Sequence, residues 1–108
     1  MDGFTGKTDV IFRMMGEVPI ALFPGIAGGN RGRNCMCCIP SNAYGFLTDT
    51  CSVAFAGKLA PAEKEKYEDL KCKIESGLGL NINIVKKFTP GHRLKRLLEI
   101  ERNNARTT

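Results

Sequence analysis

Apolar and polar positions follow two different periods along this chain, and each period predicts a different kind of element. Asp9–Met15 and Val18–Phe23 are apolar runs of strand length separated by a short polar break, which predicts a β-hairpin. Pro19 has no N–H to donate to a sheet, so we expect it at an edge or near the start of its strand. Pro24–Asn34 has four glycines and no periodicity, which predicts a loop.

Three later segments also indicate strands. Cys35–Ile39 is short and apolar enough to be buried, and the alternation around residues 50–56 favours a second strand. Leu80–Phe88 has a period of two, with Leu80, Ile82 and Ile84 on one side, which predicts a half-buried strand.

Two helices are expected in the second half of the chain. Pro61 suits the first position of a helix, because an N–H at that position has no hydrogen-bond acceptor within the helix. Gly77 or Gly79 can end the same helix in the left-handed conformation. The second helix runs from His92 to about Asn104. The expected apolar faces, both packed on the body of the protein, are Tyr67, Leu70 and Ile74 for the first helix and Leu94, Leu97 and Leu98 for the second.

These elements predict an α+β fold. We expect a small antiparallel or mixed sheet of about four to five strands, with one helix packed on a face and a basic C-terminal helix. The predicted organisation is a flexible N-terminus over residues 1–8, a single α+β domain over residues 9–90, and a basic helix and tail over residues 91–108.

Charge is distributed unevenly along the chain. Residues 86–108 hold seven cations and two anions, whereas the first 85 residues hold nine of each, so the net charge of +5 lies in the C-terminal segment. A neutral body with a cationic end predicts a partner that carries negative charge. The predicted contact residues are Lys86, Lys87, Arg93, Lys95, Arg96 and Arg102, together with Arg31 and Arg33 of the glycine-rich loop.

The five cysteines, an odd number, cannot all pair with one another. Strand alternation would place Cys35 and Cys37 on one face and Cys38 on the other, which splits the cluster. We therefore favour small buried hydrophobes over a zinc site or a reactive thiol, and we expect neither a metal nor a cofactor. Free thiols, and an N-terminus without the apolar run of a secretory signal, predict a cytoplasmic location.

Candidate catalytic groups are sparse. His92 is the only histidine, and we expect it to be solvated or to belong to the cationic patch. No nucleophile or carboxylate pair has a suitable spacing, so the chain is expected not to be an enzyme. The glycine-rich loop could cradle a phosphate, although a mobile or partner-contacting loop is favoured. The best apolar stretch, Val18–Ala27, is too short to cross a bilayer, so we expect no membrane partner.

Several segments of the chain are distinctive when taken together: Asp9–Arg13, Ile20–Pro24, Pro61–Glu63, Tyr67, Asp69-Leu70, Ile74–Ser76 and Ile84–Lys87. This set resembles a group of small uncharacterised proteins of bacteriophage and plasmid genomes. The resemblance covers about residues 9–90. The middle of that family is more polar and often carries histidines, whereas Cys35–Tyr44 has none, which argues against a metal role there. The resemblance implies an origin in a mobile element and no particular activity.

Two functions follow from these expectations. The first is a small non-catalytic protein, phage-encoded or carried by another mobile element, that binds the acidic surface of a host protein and inhibits it, for example a nuclease of an immune system. The alternative is a nucleic-acid-binding accessory protein that uses the basic C-terminal helix.

Overall fold

The computed structural model describes residues 7–107 of the 108-residue chain and the side chains of residues 7–104. The elements in chain order are β1 (Thr8–Met15), β2 (Val18–Ala27), a 3₁₀ turn (Asn30–Gly32), β3 (Asn34–Ser41), β4 (Gly45–Ser52), α1 (Val53–Ala56), β5 (Ala60–Pro61), α2 (Lys64–Leu78), β6 (Ile82–Ile84) and α3 (Pro90–Thr107). The predicted flexible N-terminus falls mostly outside the described residues, and Thr8 already belongs to β1.

One mixed sheet of six strands organises the molecule, and it confirms the predicted α+β class. The strand order is β4-β3-β2-β1-β5 with antiparallel pairing, and β6 pairs with β1 in parallel. β1 and β2 form the predicted hairpin, in which Met15 lies opposite Val18 and Pro19 is the second residue of its strand. The far edge of β1 is shared, because β6 pairs with its first half and β5 with its second half.

Alternation along the central strands divides the core into two layers, one on each face of the sheet. α2 covers one face with Leu70 and Ile74, whereas α1 and residues 85–88 cover the other, with the buried Ala56 and the partly buried Val85 and Phe88. The buried strand side chains of the two layers are Val10, Phe12, Ala21, Phe23, Cys38 and Ile82 beneath α2, and Ile11, Ile20, Leu22, Cys35 and Cys37 on the opposite face. The predicted separation of Cys38 from Cys35 and Cys37 is therefore confirmed.

α2 packs as predicted but begins later. Pro61 lies in β5, where the N–H of the next residue, Ala62, donates to the carbonyl oxygen of Phe12 at 3.1 Å, so the chain leaves the sheet only after this point. The ring of Tyr67 stacks on Phe12 with centroids 4.3 Å apart. The helix ends at Gly79, whose φ of +65° is the left-handed stop expected from the sequence.

Three further predicted boundaries are wrong. The strand expected over residues 50–56 is β4, which ends at Ser52, because the Ser52 hydroxyl caps α1 by accepting a hydrogen bond from the Phe55 N–H at 3.3 Å. The loop expected over Pro24–Asn34 is shorter, since β2 continues to Ala27. The strand expected over Leu80–Phe88 is limited to β6, because the chain then turns to cover the second face of the sheet.

Candidate binding surface on the C-terminal helix

α3 begins with a cap that uses the only histidine of the chain. The Thr89 hydroxyl oxygen accepts a hydrogen bond from the backbone N–H of His92 at 3.2 Å, and His92 Nδ1 accepts one from the backbone N–H of Thr89 at 3.1 Å. This reciprocal pair is a capping box with histidine in place of the usual Glu or Gln. Pro90 fits inside it, because the first position of a helix needs no N–H donor.

His92 also connects α3 to β1. Because Nδ1 already accepts a hydrogen bond, Nε2 carries the proton and donates to Asp9 Oδ2 at 2.9 Å. Hydrogen bonds from Asn83, which has the larger effect, and from His92 lower the pKa of the Asp9 carboxyl. The prediction that His92 is solvated or part of a cationic patch is wrong, since its side chain is 6% exposed and both ring nitrogens have hydrogen-bond partners.

The side of α3 that faces the body is polar. The pairing of β2 with β3 is irregular in the second half of β2, and such a bulge leaves backbone groups without sheet partners. Arg96 donates from Nη1 to the carbonyl oxygen of Pro24 at 2.6 Å and from Nε to that of Gly32 at 2.8 Å. Glu99 Oε1 accepts a hydrogen bond from the Ala27 N–H at 3.1 Å. Charged side chains of α3 thus satisfy the irregular backbone beneath it.

The leucines of α3 lie on the other side and face solvent. Leu94, Leu97 and Leu98 are 57%, 39% and 46% exposed, and we call these three residues the leucine ridge. The prediction that they pack on the body is wrong, because the surface under α3 presents carbonyl and N–H groups that leucine cannot satisfy. Leu97, the least exposed of the three, also contacts the body at Gly32, where an added Cβ would lie 2.9 Å from the Leu97 Cδ2 atom.

Half of the predicted contact residues come together in one place. Arg31 and Arg33, from the 3₁₀ turn and the residue after it, meet Arg93 and Arg96 of α3 around a cavity of about 390 Å³, which we call the arginine cleft. Asn30 and Arg31 adopt φ values of +53° and +55°, a left-handed conformation that is uncommon for residues with a side chain. This turn, together with Gly32, carries the two loop arginines beside α3.

The other predicted contact residues are not part of this cluster. Lys86 lines a different cavity, of about 340 Å³, with Arg13 and Lys64. Lys95 is exposed, and its aliphatic stem lies against Gly25. Lys87 and Arg102 are exposed as well, and neither these two residues nor Lys95 lines either cavity. The cationic segment of the sequence is therefore not a single cationic patch in the fold.

Sequence reasoning missed Asp9 and Glu99 as contacts of α3. The signal for the helix was available, because His92, Arg96 and Glu99 recur at i, i+4 and i+7, the spacing of one helix face. Either this polar stripe or the leucine stripe could therefore be the side of α3 that packs on the sheet. Only the irregular backbone of β2, which the sequence pattern does not predict, decides between them.

Three of the five cysteines, Cys35, Cys37 and Cys38, are buried, whereas Cys51 is half-buried and Cys72 is exposed. Burial is the main cause that raises the pKa of Cys35 to about 11, of Cys37 to about 12 and of Cys38 to about 11, so these thiols stay protonated near neutral pH. Cys35 lies opposite Cys51 across β3 and β4, and both are free thiols. Within residues 7–107, no group of three or more His, Cys, Asp or Glu side chains is arranged to hold a metal ion.

Among the helices of the described residues, none combines the length and the apolar composition that a bilayer crossing requires. The surfaces of the chain itself are the guide to its function, since no protein-family model, curated protein or solved structure matches it.

Proposed function

We propose that this chain is a small non-catalytic binding protein whose leucine ridge docks into an apolar groove with an acidic rim on a partner protein. The observation that carries the proposal is the orientation of α3, which buries Arg96 at 4% exposure and leaves Leu94 57% exposed. Single exposed leucines are ordinary on protein surfaces. Three on one helix face, opposite a buried arginine, form an apolar patch of the kind that a partner covers.

The charges beside the ridge define the chemistry of that partner. Successive residues of a helix are separated by about 100° around its axis, which places Arg93 beyond Leu97 on one side of the ridge and Arg102 beyond Leu98 on the other. The same spacing places the exposed Glu101 in line with the ridge, one turn after Leu97, so the ridge is flanked by cations on its two sides and ends at one anion. Its cationic flanks are complementary to a groove bordered by Asp and Glu. The net charge of +5 would also accelerate encounter with an acidic surface.

The side chains that could act as catalytic groups, His92 and the buried cysteines, are already hydrogen-bonded or protonated, which supports a non-catalytic role. The His92 ring is occupied by the helix cap and by Asp9, and the buried thiols are held protonated by raised pKa values. It stays a prediction from the sequence that the partner is a host protein, that the chain inhibits it in the host cytoplasm, and that the chain comes from a phage or another mobile element.

The alternative function, nucleic-acid binding through the basic helix, has less support. Backbone phosphates are best followed by cations aligned along one groove. In the described part of α3 the cations point in different directions, with Arg96 directed into the body and Lys95 against Gly25. Outward-facing leucines also contribute nothing to contacts with phosphate.

The test begins with affinity purification of the full chain from host cells after nuclease treatment, followed by identification of the captured protein. That protein is then purified, and its binding to wild type and to L94S/L98S is measured by calorimetry at two salt concentrations. We expect the double variant to lose at least about tenfold in affinity, because these positions are the apolar centre of the interface. Higher salt should weaken wild-type binding.

A matched control is Leu47→Ser, which removes a leucine of similar exposure, 51%, on β4. It should bind as wild type does. Equal affinity of wild type and L94S/L98S would contradict the docking proposal. So would self-association of the purified chain, measured by light scattering, that disappears in L94S/L98S, because the ridge would then be an interface between two copies.

A further inference from the structure

We infer that the arginine cleft is a binding site for a compact phosphate oxyanion, of the diphosphate class that small phosphorylated molecules carry. Arg31, Arg33, Arg93 and Arg96 line the cavity, and Asn30 and Ser52 complete its polar wall. The cleft adjoins the leucine ridge and shares Arg93 with its flank, whereas Arg31 and Arg33 belong to the cleft alone. Variants at Arg31 and Arg33 therefore test this site separately from the proposed protein partner.

Uncompensated positive charge is the main argument. No carboxylate lines the cleft, and the side chains of Arg31, Arg33 and Arg93 make no hydrogen bond or ion pair with the described part of the chain. Burial lowers the pKa of the Arg96 guanidinium, and the positive charge of Arg93 lowers it further. Repulsion among these groups is relieved when an anion enters. The planar fork of arginine matches the oxygens of phosphate, to which it can donate two hydrogen bonds at once.

The floor of the cleft is rigid. Arg96 is held from behind by the carbonyl oxygens of Pro24 and Gly32, at 2.6 and 2.8 Å, which uses two of its five donors. The 3₁₀ turn on the opposite wall is closed by hydrogen bonds from the Gly32 N–H to the Gly29 oxygen and from the Arg33 N–H to the Asn30 oxygen. Among the four arginines, Arg96 is thus the donor that is fixed before an anion arrives, which lowers the ordering cost of binding for this one side chain.

The size and lining of the cleft favour a compact ligand over a nucleic-acid strand. Its volume of about 390 Å³ falls at the small end of ligand pockets. The lining contains no aromatic side chain on which a base could stack. Lys86, Lys95 and Arg102 do not line the cleft, so its cationic lining is limited to the four arginines.

The test is calorimetric titration of the full chain with pyrophosphate at constant ionic strength. We expect binding that weakens at least about tenfold in R31Q/R33Q and in R93Q, because each loses bidentate contacts to the anion. Arg102→Gln removes the same charge from α3 outside the cleft and should stay within about twofold of wild type. R33K and R93K, which keep the charge but lose the fork, should fall between the two. Thermal melts verify that each variant is folded.

Two results would overturn the inference. The first is the absence of heat on titration of wild type with millimolar pyrophosphate, or binding that is unchanged in R31Q/R33Q and R93Q. The second comes from a competition arm with a mixed-sequence single-stranded oligonucleotide. If it binds through the same arginines more tightly than pyrophosphate at the same ionic strength, the ligand is a nucleic-acid backbone and the compact class is wrong.

Discussion

α2 and α3 are both amphipathic helices packed on the same sheet, yet they bury opposite kinds of side chain. α2 buries Leu70 and Ile74, at 3% and 0% exposure, beneath a polar outer face. α3 buries His92 and Arg96, at 5% and 4%, and presents its leucines to solvent. The helices therefore differ in which side they turn to the sheet, although each sequence offers both an apolar and a polar stripe.

The surface under each helix explains the difference. α2 lies over strand side chains such as Phe12 and Phe23, where attraction depends on apolar area and not on direction. α3 lies over irregular backbone at the end of β2, where unpaired carbonyl and N–H groups require directional partners. Apolar packing thus holds α2, whereas a few polar contacts hold α3 and leave its leucines available to a partner.

The largest expected difference is in stability, between substitutions in the apolar stripe of α2 and in that of α3. Ile74→Ala should lower the free energy of unfolding by about 2–5 kcal/mol, because it opens a cavity in a fully buried layer. Leu94→Ala should change it by less than about 0.5 kcal/mol, because that side chain is mostly solvated. Urea denaturation followed by circular dichroism measures both. A loss of comparable size in Leu94→Ala would mean that the ridge packs on the body after all.

The next effect concerns the polar side of α3. Arg96→Met keeps an unbranched aliphatic stem but leaves the carbonyl oxygens of Pro24 and Gly32 without donors, which should cost about 2–3 kcal/mol. Arg102→Met removes an exposed arginine of the same helix and should cost less than about 0.5 kcal/mol. Equal stability of these two variants, in the same urea experiment, would show that α3 is held by something other than Arg96.

The same contrast explains how far the sequence predicts this fold. The β1–β2 hairpin and α2 follow from local pattern, because their apolar side chains both define the period and fill the core. The division of the cysteines between the two faces follows from strand alternation. At these positions local preference and tertiary packing favour the same structure, so the structure can be predicted from this one sequence.

Prediction fails where backbone geometry decides. The leucine stripe of α3 is as regular as that of α2, but the bulge in β2 has no signature in the residue pattern, so the orientation of α3 could not be inferred. The short helix after Ser52 depends on one hydroxyl cap inside a segment with strand alternation. For the predicted contact residues, the sequence shows which side chains are cationic but not where the fold places them. It therefore could not predict that Arg31 and Arg93 meet in the cleft while Lys86 lies elsewhere.

A smaller effect is expected at the start of α3. Thr89→Ala removes the hydroxyl that accepts the His92 N–H and should destabilise the protein by about 1 kcal/mol. Ser76→Ala, at an exposed position near the end of α2, should be neutral or slightly stabilising, because alanine favours helices. Hydrogen exchange should show faster opening of α3, and not of α2, in Thr89→Ala. Faster exchange in both helices would contradict the view that they are held independently.

The smallest effect is a pH dependence of the contact between α3 and β1. Hydrogen bonds from Asn83 and His92 hold the pKa of the Asp9 carboxyl below its ordinary value of 3.8. The folded state therefore binds this proton less readily than the unfolded state, and the stabilisation from Asp9 is complete above about pH 4 and is lost as pH falls through the folded pKa.

Asp9→Asn isolates this contribution, since acid unfolding through the other carboxylates is common to both proteins. At neutral pH the variant should be less stable by at most about 1 kcal/mol, because the carboxylate is partly exposed. The difference should shrink below pH 4, where a protonated Asp9 no longer accepts from both Asn83 and His92. Equilibrium unfolding at a series of pH values measures it. If the difference in free energy of unfolding between wild type and Asp9→Asn grows on acidification, the hydrogen bonds to the Asp9 carboxylate are weaker than this geometry implies. α3 would then be positioned mainly by Arg96 and Glu99.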